Sequence, residues 1–392
     1  MIGTVLGFSK GVSRRGFLQA AGLVGTTGFV AACAQAVVAP ASPTAPAAGQ
    51  GKAAWEQEWD GLVAAARQEG KVTLVTNNGK GYRDWIAAFE AAFPGVTVEH
   101  AQFNSVGSEF QPKFLGEREA GIYQWDVILT AANRAIRFMR PAGALDPIRP
   151  ILIRPDILDD KSWRSGFDDG WIDKDKQWGY TVGELVSGLS VSTDLVMDGE
   201  LKTPLDLLNP KWKGKMALVD VRSGYTNGPM GSVLRKYGEK VVRGILIDQE
   251  PVYSRDNRQV VEALIRGRAA IGSGVIRPLL KEFLEQGLGK NIKAIDIPDV
   301  TTLGVIDGVW LVNRAPHPNA AQLLINWMLT QQGQEAFSKG VGNNVRHLAV
   351  PPADPDLVPR PGQVYWNTGK ENELDASIQA QNAIFAIMGI TN

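Results

Sequence analysis

The chain has 392 residues and a formal net charge of zero, from 41 basic against 41 acidic side chains. That balance excludes the basic surface that non-specific nucleic-acid binding requires, and 44% hydrophobic with 21% charged residues is the composition of a soluble globular fold. One cysteine allows no internal disulfide, and His100, His317 and His347 stand far apart without metal-ligand neighbours, so no zinc site and no resident cofactor are expected.

Ser13-Arg14-Arg15-Gly16-Phe17-Leu18-Gln19 sets two adjacent arginines before a bulky apolar pair, and a weakly apolar run, Ala20 to Ala32, follows. A basic region, a short apolar region and a small-residue cleavage point make a secretory signal peptide, here of the twin-arginine kind. The run is too short to span a bilayer as a permanent helix. Val30-Ala31-Ala32-Cys33 resembles a bacterial lipoprotein cleavage box, although Val30 stands where leucine is commonest. The resemblance implies that Cys33 becomes the lipidated N terminus, with two acyl chains sufficient for anchoring. Ordinary cleavage near Ala32 or Ala34 stays open as the alternative. Residues 1–33 are therefore expected as leader, and residues 34–52, rich in Ala, Pro, Ser and Gly without a period, as a flexible tether.

The fold is expected to begin near Ala53. Trp55 to Ala66 has helical periodicity, stopped by Gly70. Lys71 to Thr76 reads as a strand, Tyr82 to Phe93 as an amphipathic helix ended by Pro94-Gly95, and Val96 to Phe103 as a second strand. Ser105 to Ala120 then reads as a helix and Asp126 to Thr130 as a third strand. Strands alternating with helices imply a mostly parallel sheet with right-handed crossovers. A second series follows Pro210-Lys211-Trp212-Lys213-Gly214: a strand over Met216 to Asp220, a helix over Pro229 to Tyr237, a helix over Arg258 to Gly267 and a strand over Ala269 to Gly272. Two extended stretches, Gly179 to Ser192 and Val305 to Val312, are long enough to carry the chain between the two series. The expected architecture is α/β, a clamshell with one lobe over 53–184, to which about 310–345 returns, and another over 185–309, on which about 346–392 packs.

Several segments resemble the extracellular solute-binding proteins of bacterial ABC importers, in the group of ferric-iron, polyamine and phosphonate binders. They are Trp59 to Val72, Phe89 to Val96, Leu205-Asp206-Leu207-Leu208-Asn209-Pro210-Lys211-Trp212-Lys213-Gly214-Lys215, His317 to Trp327, and Gln332 to Phe337. The resemblance spans the mature chain and implies the type II periplasmic-binding-protein fold, binding without chemistry and a membrane permease as partner; a monomer is expected, in the periplasm or lipid-anchored at the outer face of the cytoplasmic membrane. A solute held by both lobes only when they close shifts the open–closed equilibrium by its differential affinity.

Ligands in open α/β sheets bind beyond the carboxyl ends of strands, near helix starts. After the first strand that rule nominates Thr76, Asn77, Asn78 and Tyr82, which read equally as a turn with a helix cap. After the third it nominates Thr130, otherwise an ordinary helix start. The leading nomination is Asp220 to Gly228, where Ser223, Gly224, Tyr225 and Thr226 offer amides and hydroxyls and Arg222 a bidentate fork. Its structural alternative is a capped turn with a surface arginine. Arg255 belongs to a weaker turn of the same type. Asp307 and Glu184 are charges inside the extended crossings, reaching a ligand or bracing a hinge, and Trp178 is an aromatic beside the first crossing that either stacks on a ligand or packs.

These residues favour a small, anionic organic solute. Ferric iron would require, by the resemblance, adjacent tyrosines late in the chain, and none of the seven tyrosines adjoins another. A polyamine would use Asp307, Glu184 and the tryptophans, and a ligand-sensing partner of a membrane receptor would use the same fold. An enzyme is not expected: Gly7-Phe8-Ser9-Lys10-Gly11 spells G-x-S-x-G, but inside the leader, and no P-loop, dinucleotide fingerprint or H-E-x-x-H is present.

Overall fold

A computed structural model of the chain describes residues 52–390. The expected leader, the tether and Cys33 lie outside the described residues.

The helix Ala54–Glu69 ends at Gly70, whose φ of 73° is the left-handed conformation that closes helices at low cost. Strand β1 (Lys71–Asn77) follows, then the helix Gly81–Ala92, β2 (Thr97–Phe103) and β3 (Val127–Thr130). Both β2 and β3 pair with β1 in parallel. The segment expected as one helix from Ser105 is instead a wide turn, Val106–Phe110, feeding the helix Gln111–Glu119. Pro112, lacking an amide, fits the first turn of that helix and could not sit inside a longer one without loss of a hydrogen bond.

The chain continues through β4 (Leu145–Asp146) and β5 (Gly179–Ser187), passes Gly188, and becomes β6 (Leu189–Ser192) of a different sheet. That sheet is completed by β7 (Met216–Val219), β8 (Val252–Ser254), β9 (Ile271–Ser273) and β10 (Ile292–Ile295) in the order β10-β6-β9-β7-β8. Its β8, β7 and β9 run parallel, and β6 and β10 antiparallel at the edge. The 11-residue β11 (Thr302–Val312) then returns to the first sheet and β12 (Trp366–Asn367) closes it, in the order β12-β11-β3-β1-β2 with β4 and β5 also on β11. Each sheet is thus a parallel centre with antiparallel additions rather than parallel throughout.

The two crossings are partners. β5 pairs with β11 antiparallel from Gly179 opposite Trp310 to Ser187 opposite Thr302, with a bulge around Ile306. A bulge re-aims side chains and sharpens twist; here it aims Ile306 at the space between the sheets. Each lobe has its own core. In the first, Trp85 stacks 6.0 Å from Trp327 and meets Phe337 edge-on at 5.3 Å, joining the helices Gly81–Ala92, Pro318–Leu329 and Gln331–Val341. Burying side chains of this size stabilises by about 1.5–3 kcal/mol each.

The segment from 346 onward, expected to pack on the second lobe, is divided. β12 pairs with Thr302 and Leu303 of the first sheet, whereas the helix Leu374–Ile387 inserts Ile384 and Ile387 into the second core. Its apolar face is satisfied there, while Trp366 and Asn367 complete a strand edge. The helix expected from Pro229 begins earlier, at Gly224, with Pro229 inside it. Ser223 caps the early start, and Pro229 forgoes the hydrogen bond that its amide would give to the Tyr225 carbonyl.

Candidate functional site

A cavity of about 680 Å3 opens between the two sheets, beyond the carboxyl ends of β1 and β9 and against both crossings. The first lobe contributes Asn77 to Tyr82, and the second contributes Tyr225, Gly274, Val275 and Ile276. Glu184, Ser187, Gly188 and Ile306 come from the crossing strands, and Gly340 to Asn344 from the end of the helix Gln331–Val341. Apolar side chains such as Val186, Leu189, Ile276 and Ile306 alternate with amides and hydroxyls, as in pockets that hold a small organic molecule in one orientation.

Two helices start at this cavity, Gly81–Ala92 from the first lobe and Arg277–Glu285 from the second, and neither has a side-chain cap. The first amides of a helix have no intrahelical partner and carry the positive end of its dipole. Lys80 stands at the first of these starts, and among the described residues it has no carboxylate partner. The acidic groups in the wall are engaged: Glu184 by Arg164 and Arg346, Glu282 by Arg258 at 3.5 Å, and Asp354 by the Asp356 amide, which donates to it at 3.1 Å. The cavity therefore has open donors and occupied acceptors.

The expected site residues fall into three groups. Asn77, Asn78, Tyr82, Tyr225 and Glu184 line the cavity. Asn77 also accepts from the Val106 amide at 3.1 Å, and the Asn78 amide nitrogen donates to Asn104 at 2.6 Å, so both are held in place. The Tyr225 hydroxyl has no partner among the described residues, and burial raises its pKa, keeping it a neutral donor.

Asp307 lies one layer behind. It is fully buried, accepts a 2.8 Å hydrogen bond from the Tyr82 hydroxyl through Oδ1, and leaves Oδ2 unpartnered. Burial pushes its carboxyl up to about 6, against the opposing effect of the Tyr82 bond, and it raises the Tyr82 hydroxyl as well. Asp307 thus fixes Tyr82 from behind instead of facing the cavity.

The remaining nominations lie off the cavity wall. Arg222 turns back on its own turn and grips Asp220 through one guanidinium nitrogen, at 3.0 and 2.8 Å, with Arg255 3.7 Å from the same carboxylate. Ser223 caps its helix by accepting from the Tyr225 amide, and Gly224 opens that helix, so no free nest of amides remains there. Thr226 is buried and donates to the Val219 carbonyl at 2.6 Å. Thr76 is buried against His100 at 2.8 Å, and the Thr130 carbonyl accepts from the Trp310 indole at 3.1 Å. Trp178 packs under the Arg140 guanidinium at 5.0 Å. Arg222, Ser223, Thr226 and Thr76 thus engage partners close at hand.

Sequence reasoning missed Lys80, the Gly274-Val275-Ile276 turn and the Gly340 to Asn344 loop. Gly274, with φ of 74°, followed two residues after Ile276 by Pro278, was a readable strand-to-helix signal. The Gly340 to Asn344 loop carries a helix stop, Gly342 with φ of 81°, but nothing in it that points to a cavity.

Two sheets joined by paired crossing strands, with a ligand-sized cavity between strand ends, define a type II two-lobed periplasmic binding protein. The family model for the bacterial extracellular solute-binding protein matches residues 73–335, more than half of the chain, and the chain belongs to that family. It is a solute-binding protein of the ABC-importer type, built to capture and not to transform. Solved structures share the fold at low identity. Iron-bound HitA of Pseudomonas aeruginosa superposes with a TM-score of 0.62 at 17% identity, over 81% of this chain and 99% of that one. The IdiA/FutA protein of Trichodesmium with iron and citrate gives 0.63 at 17% identity, over 81% and 99%. The periplasmic binding protein P5PA gives 0.55 at 18% identity, over 82% and 100%.

Proposed function

We propose that this protein captures a small organic anion, a carboxylate, phosphonate or phosphate ester, between its lobes and delivers it to a membrane permease. One observation carries the reading: two uncapped helix starts from opposite lobes border the same cavity, with Lys80 at one of them and the wall glutamates Glu184 and Glu282 facing arginines. Anions are stabilised at such helix starts. The apolar wall suits a carbon skeleton, and the Tyr225 hydroxyl supplies a second-lobe contact. Ferric iron is the second reading. HitA and the Trichodesmium protein are iron-bound, and Tyr82 and Tyr225 line this cavity from opposite lobes. Against it, the protonated Tyr82 hydroxyl donates a hydrogen bond to Asp307 and the tyrosines are not adjacent.

Thermal-shift and calorimetric screening of the mature protein against organic acids, phosphonates, polyamines and ferric salts tests the reading. The expected result is an organic anion that raises the melting temperature, with affinity falling about tenfold, ~1.4 kcal/mol, in Lys80→Ala. A shift confined to ferric salts or to polyamines would reject it.

The twin-arginine leader and Cys33 support export of the folded protein and lipid anchoring, with the protein monomeric at the outer face of the membrane. Cys33→Ser is then expected to move it from the membrane fraction to the soluble one.

A further inference from the structure

A second cavity, of about 310 Å3, sits on the crossing strands β5 and β11 and shares the Glu184 wall with the first. Four cations line it, Arg164, Arg346, Arg360 and Lys370, against two carboxylates, Asp169 and Glu184. Arg346 and Glu184 are only 3% and 9% exposed, so the charge is built into the fold.

The pairing in this wall is incomplete on the negative side. Glu184 is held by Arg164 and lies 3.8 Å from Arg346. Arg346 also donates to Asp169 Oδ2 at 3.0 Å and to the carbonyls of Arg164 and Gly166. Arg360 finds its carboxylate outside the wall, Asp296 at 3.1 Å. Among the described residues Lys370 has no carboxylate partner: its ammonium donates to the carbonyls of Asp169 and Trp171, the second at 2.7 Å. Carbonyl dipoles do not neutralise a charge, and burial pushes Lys370 down to about 8. An anion would relieve this imbalance, since a partly buried cation gains most from a charged acceptor.

The geometry points to this pocket as a second binding site, for a compact oxyanion such as phosphate or the phosphate or carboxylate group of a small metabolite, with Lys370 and Arg360 as primary contacts. Lys370 offers a point charge and Arg360 a planar fork, the two donor types suited to a tetrahedral or planar anion. Glu184 links the site to the first cavity. An anion drawing Arg164 or Arg346 toward itself weakens their hold on Glu184, and so alters the wall that the transported solute meets. The inference holds whatever solute the first cavity takes.

Calorimetric titration of the mature protein with inorganic phosphate, and separately with acetate, tests it. Saturable binding of at least one is expected, weakened about tenfold or more in Lys370→Met and in Arg360→Ala and unchanged within about twofold in Lys80→Ala. Melting curves of the variants establish that each is folded. Absence of saturable binding overturns the inference. Loss in Lys80→Ala with retention in Lys370→Met would place the anion in the first cavity and overturn it too, as would equal loss in all three folded variants, the mark of diffuse charge attraction. Failure here leaves the reading of the first cavity standing, because that rests on the organic ligand and its own titration.

Discussion

The turn Asn77 to Tyr82 and the turn Asp220 to Thr226 occupy equivalent places in their lobes, each leading from the carboxyl end of a parallel strand into a helix. They end in opposite states. The first leaves its helix uncapped, keeps Lys80 free of carboxylates and borders the cavity along its whole length. The second caps its helix with Ser223, closes Arg222 onto Asp220 and buries Thr226 against Val219, so that only Tyr225 reaches the cavity. What separates them is whether a polar group finds a partner within its own turn. Where it does, the group is structure; where it does not, it is available to a ligand.

Arg346 is satisfied by the fold itself, through partners distant along the chain: Glu184, Asp169 and the carbonyls of Arg164 and Gly166. Arg346→Met is expected to cost about 3–5 kcal/mol in urea unfolding, because Glu184 and the carbonyls of Arg164 and Gly166 are left without it. A loss below ~1 kcal/mol would mean that internal pairing does not mark structural groups here.

Asp307 tests the same division by pH. Its folded-state pKa of about 6 exceeds the ordinary 3.8, so the folded protein binds this proton more tightly than the unfolded chain does. Its contribution is therefore full at low pH, declines as pH rises from 3.8 toward 6, and is lost above that. Two pKa units correspond to roughly 3 kcal/mol. The stability difference between wild type and Asp307→Asn is expected to change by that order between about pH 4 and 7, in favour of the variant as pH rises. A flat difference would show that Asp307 is ionised in the fold and faces solvent or ligand.

The alternation of strands and helices, the Gly70 stop, both crossings and the two-lobed division could be read from periodicity, because each depends on residues near in sequence. The strand-end rule also found the first-lobe turn. It did not anticipate that Arg222 closes onto Asp220, because the residue types that build an anion site, Asp, Arg, Ser and Gly, are the same ones that close a turn on itself, and the choice depends on rotamers. Lys80 carried no distinguishing pattern. The Gly340 to Asn344 loop reaches the cavity only because the helices Gly81–Ala92 and Gln331–Val341 pack closely, a contact between residues some 250 apart that no local rule anticipates.

That close packing supplies a paired test. A Cβ added at Gly81 would lie 2.1 Å from the Gly340 carbonyl oxygen, so Gly81→Ala must push the open turn away from its neighbour. The expected cost is about 1–3 kcal/mol, with loss of solute binding in the same variant. At Gly224, the matching position of the closed turn, an added Cβ meets nothing within 4 Å. Gly224→Ala is expected to be neutral or to stabilise by up to ~1 kcal/mol, since alanine is the better helix former. Equal effects at the two glycines would erase the distinction between the turns.

The smallest expected effect bears most directly on that distinction. The Arg222 side chain is 49% exposed and bound to a carboxylate two residues away, which Arg255 also approaches. Exposed pairs of this kind contribute between nothing and ~1 kcal/mol, and the second arginine compensates for part of what is lost. Arg222→Ala is therefore expected to change unfolding free energy by less than ~0.5 kcal/mol and solute affinity by less than about twofold. Lys80→Ala is expected to lower affinity without changing stability, so calorimetry on the two variants side by side separates the turns. If Arg222→Ala lost the solute while Lys80→Ala kept it, the guanidinium would have to leave Asp220 on closure, and the second turn would be the binding one.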